Sequence, residues 1–192
     1  MSRTTKLGLI VAASLVLIGC ILFVCIMSTL GWDFAKLSTV KYETNTYEIS
    51  EAFDGISVRT DTADIVFKPS DDGKCRVQCH EEENSKHSVG VKDGTLKIEI
   101  SALKFIGYIG LNFDSLKITV YLPKAEYNSL LVRGSTCDLE MTNNFKFNDV
   151  DISLSTGDVD FRASASDMIK IKTSTGDITL SNVVAAEKLS IE

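Results

Sequence analysis

The sequence predicts an all-β protein: a β-solenoid of parallel coils of 19–20 residues, preceded by antiparallel hairpins and by one N-terminal transmembrane helix. Three observations lead to this prediction. Residues 7–30 carry no charge, the residues after 46 alternate apolar with polar side chains, and a Ser-Thr-Gly-Asp box occurs twice, 19 residues apart. These patterns are typical of a membrane span, of half-buried strands and of a strand repeat.

The N-terminal stretch has the length and composition of a membrane span. With 192 residues, 44% of them hydrophobic, the chain could be one globular domain or a span with a smaller domain. Residues 7–30 exceed the roughly 20 apolar residues that a helix needs to cross a bilayer. Arg3 and Lys6 precede them without an acidic residue. We therefore expect a single-pass protein of the cell membrane, with residues 1–6 as a cytoplasmic tail and the C-terminal domain extracellular.

A cleaved signal sequence is the alternative to a retained anchor. Leu17 to Cys20, "LIGC", fits the pattern at which lipoproteins are cut and acylated on the cysteine. Against cleavage, residues 21–30 are also uncharged and mostly apolar, whereas a mature lipoprotein turns polar at once. The retained anchor is favoured, and a lipidated Cys20 stays open.

The domain boundaries follow from changes in composition. Residues 31–45 are mixed and polar, as expected of a tether, with Trp32 at the membrane interface. The folded domain is expected over residues 46–192. Because only residues 1–6 precede the span, the protein is expected to act outside the cell.

Alternation with a period of two predicts strands and two hairpins. "LKITVYLP", residues 116–123, places its apolar residues on one face. Residues 89–100 predict a hairpin that turns at Asp93-Gly94, a pair that tolerates positive φ. Residues 66–79 predict a second hairpin that turns near Asp72-Gly73.

The repeat aligns when "ISLSTGDVDF" (152–161) is placed over "IKTSTGDITL" (171–180). The apolar residues then share columns: Ile152 with Ile171, Val159 with Ile178, and Phe161 with Leu180. Fainter copies place Val132, Leu139 and Met141 around Cys137, and Val58, Ile65 and Phe67 around Ala63. A unit of this length suits a coil of strands, which buries its apolar side against the coils above and below it.

The box residues have two interpretations. In the structural one, Gly157 and Gly176 supply a backbone conformation that other residues resist, and Asp138, Asp158 and Asp177 bond backbone N–H groups at the bend. In the other, the three aspartates form a carboxylate ladder that binds calcium. The turn interpretation is favoured, because two copies of the repeat lack the glycine.

Several segments together resemble a known family. "STGDVDF" and "STGDITL", with "YEISEAFDGISVRTDTADIVFKPSDDGKCRV", "GTLKIEI" and "ITVYLPKAEYNSLLV" before them, resemble the bacterial domain of unknown function DUF4097, also described as a proposed adhesin domain. The resemblance covers residues 45–192. It implies a membrane segment, a β-solenoid with usually more boxes than this chain has, and, in some members, association with cell-envelope stress systems of Gram-positive bacteria. It implies no catalytic residues.

Residue types that perform chemistry form no catalytic pattern. His80 and His87 belong to no nucleophile–base–acid arrangement, and the sequence contains no phosphate loop or HExxH motif. No enzyme activity, cofactor or metal site is therefore expected. Cys75 and Cys79 would lie about 13 Å apart on a strand, too far for a disulfide or one zinc ion. They are expected to be small core residues.

Charge and one apolar segment narrow the partners. The net charge of −6, without a Lys/Arg cluster after the span, argues against nucleic acid or anionic lipid as the main ligand. Residues 102–113, "ALKFIGYIGLNF", are expected to cap the N-terminal end of the coil; an exposed version would mark a protein contact.

Two functional classes stay open. One is a surface-interaction or adhesin-like module that presents Ser, Thr and Asp to cell-wall polymer or envelope proteins. The other is an accessory or scaffold protein of a cell-envelope stress response. Ile191 lies 20 residues after Ile171, so the domain is expected to end in mid-repeat, with a C-terminal edge open to self-association.

Overall fold

The structure is a computed structural model that describes residues 2–33, 41–100, 115–142, 144–181 and 188–192. It is mostly β, with one N-terminal helix. The helix and the β part belong to two compact units, which are described separately.

The helix α1 runs over Arg3–Thr29. Ser2 caps its first turn, because its Oγ accepts a hydrogen bond from the Thr5 N–H at 3.2 Å. Beyond its last turn Gly31 has a φ of +67°, and the Trp32 N–H donates to the Met27 carbonyl at 2.9 Å. At 27 residues the helix is about 40 Å long, and by length and composition it could cross a membrane.

Fourteen strands lie in the described residues of the β part. They are β1 (Tyr42–Ile49), β2 (Gly55–Thr60), β3 (Asp64–Pro69), β4 (Cys75–Glu82), β5 (His87–Lys92), β6 (Thr95–Ile100), β7 (Lys117–Leu122), β8 (Glu126–Thr136), β9 (Leu139–Met141), β10 (Lys146–Thr156), β11 (Val159–Phe161), β12 (Ser164–Thr175), β13 (Ile178–Leu180) and β14 (Lys188–Ile191).

Two seven-stranded sheets enclose the core. Sheet A has the order β1-β4-β7-β3-β9-β11-β13, and sheet B has the order β14-β12-β10-β8-β2-β6-β5. Most neighbours are parallel, but β1-β4, β4-β7 and β5-β6 are antiparallel. Both sheets are therefore mixed, and the antiparallel strands form one end of each sheet instead of a separate preceding layer.

Parallel pairing brings the predicted columns together. Ile152 pairs with Val132 on one side and with Ile171 on the other, and Ile171 pairs with Ile191. The remaining pairs that the alignment predicted are also neighbours: Val58 with Val132, Ile65 with Leu139, Phe67 with Met141, Leu139 with Val159, Met141 with Phe161, Val159 with Ile178, and Phe161 with Leu180. The residue pairing that the sequence predicted is thus confirmed.

One predicted hairpin is confirmed and one is wrong. β5 and β6 pair antiparallel across Asp93 (φ +53°) and Gly94 (φ +72°), as a type I′ turn requires. β3 and β4 do not pair, because β7 lies between them, parallel to β3 and antiparallel to β4. The chain near Asp72-Gly73 therefore spans the width of a third strand.

The first strand begins earlier than the sequence boundary suggested. β1 starts at Tyr42, inside the predicted tether of residues 31–45, because residues 42–49 pair along their whole length with β4. The predicted cap over residues 102–113 lies outside the described residues.

The core is a set of ladders that run through the stack between the two sheets. Val58, Val132, Ile152 and Ile171 form one continuous buried column on the sheet B side. Cys75 and Cys79 are buried free thiols, which agrees with their expected role as small core residues, and Cys137 is a third buried free thiol. Each ladder can stay buried only while successive strands keep their register.

Candidate functional site: the corner boxes and a buried glutamate–histidine pair

The Ser-Thr-Gly-Asp boxes lie at the corners where the chain passes from sheet B to sheet A. Residues 155–158 join β10 to β11, and residues 174–177 join β12 to β13. Residues 135–138 form the corresponding corner between β8 and β9. We call these three segments the box ridge. The Ser, Thr and Asp side chains of all three corners are exposed.

The aspartates of the ridge link successive corners. The Asp158 N–H donates to Oδ1 of Asp138 at 2.8 Å, and the Asp177 N–H donates to Oδ1 of Asp158 at 2.8 Å. The Asp138 N–H donates in the same way to Oδ1 of Asp64, at 3.0 Å. The Asp64, Asp138 and Asp158 carboxylates therefore each accept a backbone hydrogen of the next corner, whereas Asp177 takes part in this series through its N–H. The turn interpretation of Asp138, Asp158 and Asp177 stays a prediction.

The two glycines of the ridge lie where one corner touches the previous one. Gly157 and Gly176 both have a φ of +133°, which L side chains rarely adopt. A Cβ at Gly157 would lie 1.9 Å from the Cys137 carbonyl oxygen, and a Cβ at Gly176 would lie 2.2 Å from the Gly157 carbonyl oxygen. Cys137 and Ala63 occupy this column without a positive φ, so their corners have a different backbone conformation.

A second polar row follows the opposite corner of sheet B. Asn148 Nδ2 donates to Asn128 Oδ1 at 3.2 Å, and Ser166 Oγ donates to Asn148 Oδ1 at 3.0 Å. A shallow groove of about 340 Å³ runs beside this row and is lined by Glu126, Lys146, Phe147, Asn148, Ser164, Ala165 and Ser166. The surface thus carries ordered rows of amide and hydroxyl groups at both corners.

A polar cluster is buried at the antiparallel end of the β part. Cys79 and Glu81 point inward from β4, and His87 begins β5 in the other sheet. Glu81 Oε2 accepts hydrogen bonds from the His87 backbone N–H at 2.6 Å and from His87 Nδ1 at 2.8 Å. Glu81 is 0% exposed and His87 is 4% exposed. A carboxylate is thus held away from water by a histidine from the facing sheet.

Neighbouring side chains complete the hydrogen bonds of this pair. Asn45 Nδ2 donates to Glu81 Oε1 at 2.9 Å, and His87 Nε2 lies 3.2 Å from Thr60 Oγ1. The Ala63 N–H also donates to Thr60 Oγ1, at 3.4 Å. The Glu81 carboxylate is an acceptor only. Nδ1 of His87 then carries the hydrogen that is donated to Glu81.

The cysteine beside this pair is held protonated. Burial raises the pKa of the Cys79 thiol to about 12, and the negative charge of Glu81 acts in the same direction. Burial alone raises the pKa of Cys75 to about 12. Both thiols therefore behave as neutral core groups in the protein as it stands.

The sequence singled out Cys79 and His87 but missed Glu81. The signal was present: Cys75, Val77, Cys79 and Glu81 share one face of β4 at a period of two, so an inward carboxylate could have been read from "CRVQCHEE". The partner of Glu81 could not, because His87 reaches it from the facing sheet.

The protein thus combines an N-terminal apolar helix with a β domain of two mixed sheets, in which most neighbouring strands are parallel and in register. The sequence profile of the Toastrack DUF4097 family matches residues 53–192. The chain therefore belongs to the Toastrack DUF4097 family. None of the curated proteins matches it.

Solved structures of low sequence identity resemble the chain. A proposed cell adhesion protein from Clostridium sporogenes is 12% identical with a TM-score of 0.47, and the match covers 80% of this chain and 99% of that one. A proposed adhesin from Bacteroides fragilis is 18% identical (79% and 97% covered, TM-score 0.34). A proposed lipid binding protein from Parabacteroides distasonis is 13% identical (81% and 98% covered, TM-score 0.34).

Gly157→Ala is expected to destabilise the β part strongly. The added Cβ would meet backbone of the previous corner, which no side-chain rotation can relieve, so we expect a loss of about 3 kcal/mol or more. Urea unfolding of residues 41–192, followed by circular dichroism, measures it. Gly90→Ala is the matched control: its Cβ would meet nothing within 4 Å and its φ is not positive, so a change within about 0.5 kcal/mol is expected. Equal effects of the two substitutions would contradict the corner contact.

Asp158→Ala is expected to cost about 1 kcal/mol, because the Asp177 N–H loses its acceptor at an exposed corner. Asp158→Asn keeps an acceptor oxygen and should cost less.

If the ridge aspartates are turn residues, added Ca²⁺ leaves the melting temperature of residues 41–192 unchanged. A Ca²⁺-dependent rise of several degrees, lost in Asp158→Ala, would support the calcium ladder instead.

Proposed function

We propose that the protein is a non-enzymatic, membrane-anchored surface-interaction module, adhesin-like in role, whose stacked coils act as a stiff extracellular β-solenoid. The observation that carries this proposal is the box ridge. Three successive corners expose a Ser-Thr pair in the same place, and parallel pairing repeats that pair about every 4.8 Å. Such a row suits a partner that itself repeats.

The hydroxyl groups are the ridge's main recognition groups. One carboxylate oxygen of Asp138 and one of Asp158 already bond the next corner. Ser155, Thr156, Ser174 and Thr175 remain exposed. Each hydroxyl group can donate and accept hydrogen bonds, so a row of them suits a polymer rich in hydroxyl and amide groups, and we propose cell-wall polymer as the partner. The net charge of −6 does not favour nucleic acid.

Binding of the full-length protein in detergent to isolated cell walls tests the ridge. Replacing Ser155, Thr156, Ser174 and Thr175 by Ala should weaken binding by about tenfold, because several hydrogen bonds of about 0.5–1.5 kcal/mol are lost. Thr46→Ala with Thr179→Ala, exposed positions of sheet A, is the matched control and should bind normally.

Equal binding of cell walls by both variants would show that the ridge is not the binding surface. Capture of envelope proteins without wall polymer would instead favour the alternative role, an accessory or scaffold protein of a cell-envelope stress response.

We further propose that α1 anchors the protein in the cell membrane, with residues 1–6 in the cytoplasm. In support, Leu, Ile and Val side chains cover the helix surface; Ile10 is 62% exposed and Leu15 is 64% exposed. Lipid is the solvent that such a surface suits. Arg3 and Lys6 at its N-terminal end favour this orientation.

A protease added to intact protoplasts should therefore remove everything after about residue 42. A cytoplasmic protein in the same cells should stay intact, as a control for leakage. Survival of residues 47–192 would place the β part in the cytoplasm and reverse the orientation. The mass of the purified protein separates a retained anchor from a chain that is cut before a lipidated Cys20.

Self-association at the C-terminal edge is part of the proposal. Among the described strands, β13 pairs only with β11 and β14 pairs only with β12. Leu189 is 55% exposed and Ile191 is 49% exposed, although Ile191 continues the core column of Ile171. Apolar columns beside unpaired backbone groups favour strand addition.

Sedimentation of residues 41–192 at micromolar concentration should therefore show a mass above that of the monomer. Leu180→Lys, at a half-buried position of β13, should restore the monomer because it places a charge in the column. Thr179→Lys is the matched control, since Thr179 is exposed, and should leave association unchanged. A monomeric wild-type protein would contradict this part of the proposal.

A further inference from the structure

We propose that Cys79, Glu81 and His87 form a binding site for a divalent transition-metal ion, with Zn²⁺ the best-suited ion. This site is independent of the box ridge and of the proposed function. It lies inside the antiparallel end of the β part, where β4 of sheet A faces β5 of sheet B.

The three side chains already have the geometry of a ligand set. One ligand atom from each residue lies within 4.8 Å of the other two, and Glu81 Oε2 and His87 Nδ1 are 2.8 Å apart. Among the residues that the structure describes, this is the one group of three His, Cys, Asp or Glu side chains that meets this criterion. A tetrahedral ion with ligand bonds of about 2.0–2.3 Å fits between atoms this close after small side-chain movements.

Electrical neutrality favours a divalent ion at this place. Glu81 is 0% exposed, so its carboxylate has lost the stabilisation that water would give it. A divalent ion bound to the Glu81 carboxylate, the Cys79 thiolate and a neutral imidazole leaves no net charge. Binding forms a metal–sulfur bond, breaks the S–H bond of Cys79 and releases that proton to solvent.

The histidine can turn to the ion without losing its support. For Nδ1 to bind the metal, its hydrogen must be exchanged for one on Nε2. Nε2 then donates to Thr60 Oγ1, which already lies 3.2 Å away. Asn45 keeps its bond to Glu81 Oε1 and so fixes the carboxylate. Hydrogen bonds of this kind, between Thr60 or Asn45 and the ligand side chains, orient metal ligands in known sites.

The donor types select the class of ion. One sulfur, one imidazole nitrogen and one carboxylate oxygen suit Zn²⁺, Co²⁺ or Fe²⁺ and do not suit the hard ions Ca²⁺ and Mg²⁺. The three protein ligands leave the fourth position of a tetrahedron without a protein ligand. Cys75 is not a ligand of the proposed site, because it lies four residues from Cys79 along β4.

Co²⁺ is the probe of choice, because thiolate ligation gives a near-ultraviolet charge-transfer band and tetrahedral geometry gives strong visible bands. The full-length protein in detergent, with Cys20 and Cys25 of the helix replaced by Ala to remove their thiols, is stripped of metal and titrated with Co²⁺. We expect both signals to saturate at one ion per chain, and Zn²⁺ to displace them. Zn²⁺ should also raise the melting temperature by several degrees where Ca²⁺ does not.

Cys79→Ala and Cys75→Ala form a matched pair, since both residues are buried on the same face of the same strand. Cys79→Ala should abolish the charge-transfer band, and Cys75→Ala should keep it. Glu81→Gln should weaken Co²⁺ binding by about 100-fold or more, and Asn45→Ala, which only positions Glu81, by about 10–100-fold.

Co²⁺ binding by the protein with Cys79, Glu81 and His87 intact tests the proposal even if a variant does not fold. Absence of the charge-transfer band at saturating Co²⁺ in the folded protein with Cys75 and Cys79 intact would overturn the proposal. So would a band that persists in folded Cys79→Ala and disappears in Cys75→Ala. In either case Glu81 and His87 would be a structural pair without a metal.

Discussion

The close approach of successive backbones at the box corners is the constraint on which the rest of the β part depends. At Gly157 and Gly176 the carbonyl oxygen of the previous corner occupies the space where a side chain would begin. Only glycine fits that approach at these two corners, where the aspartate of the previous corner also lies 2.8 Å from the next backbone N–H. The bonds between corners hold the strands on both sides in register. Equivalent apolar residues therefore lie beside each other in both sheets.

The two ends of the β part differ in what stabilises the interior. At the parallel end, each strand repeats the environment of the one before it, so apolar columns and corner bonds suffice. At the other end the antiparallel strands break the pattern, and a carboxylate replaces an apolar residue on the inner face. Glu81 can remain there because His87 and Asn45 donate to both of its oxygens. A polar network of this kind is costly to leave partly satisfied, so it also fixes how the two sheets meet at this end.

These ends suggest a division of roles within one domain. The ridge offers repeated polar groups, which suit the proposed contact with polymers. The buried cluster offers no surface to a large partner and suits a small ion. Neither role needs the helix, for which we propose membrane attachment. Membership of the Toastrack DUF4097 family covers the β part from residue 53 onward, so the ridge and the cluster both fall within the family domain.

The sequence by itself determined the columns of the parallel strands and the corners between them. Ile152 could be matched with Ile171, and Gly157 with Gly176, because along these parallel strands each residue lies beside its equivalent 19 residues further on. The Asp93-Gly94 hairpin was likewise predictable, since a two-residue turn is a local choice. Only the tertiary structure decided that β7 separates β3 from β4 and that β1 begins at Tyr42. It alone also brought His87 to Glu81. These outcomes depend on which distant strands meet, and the alternation of side chains is the same whichever neighbour a strand takes.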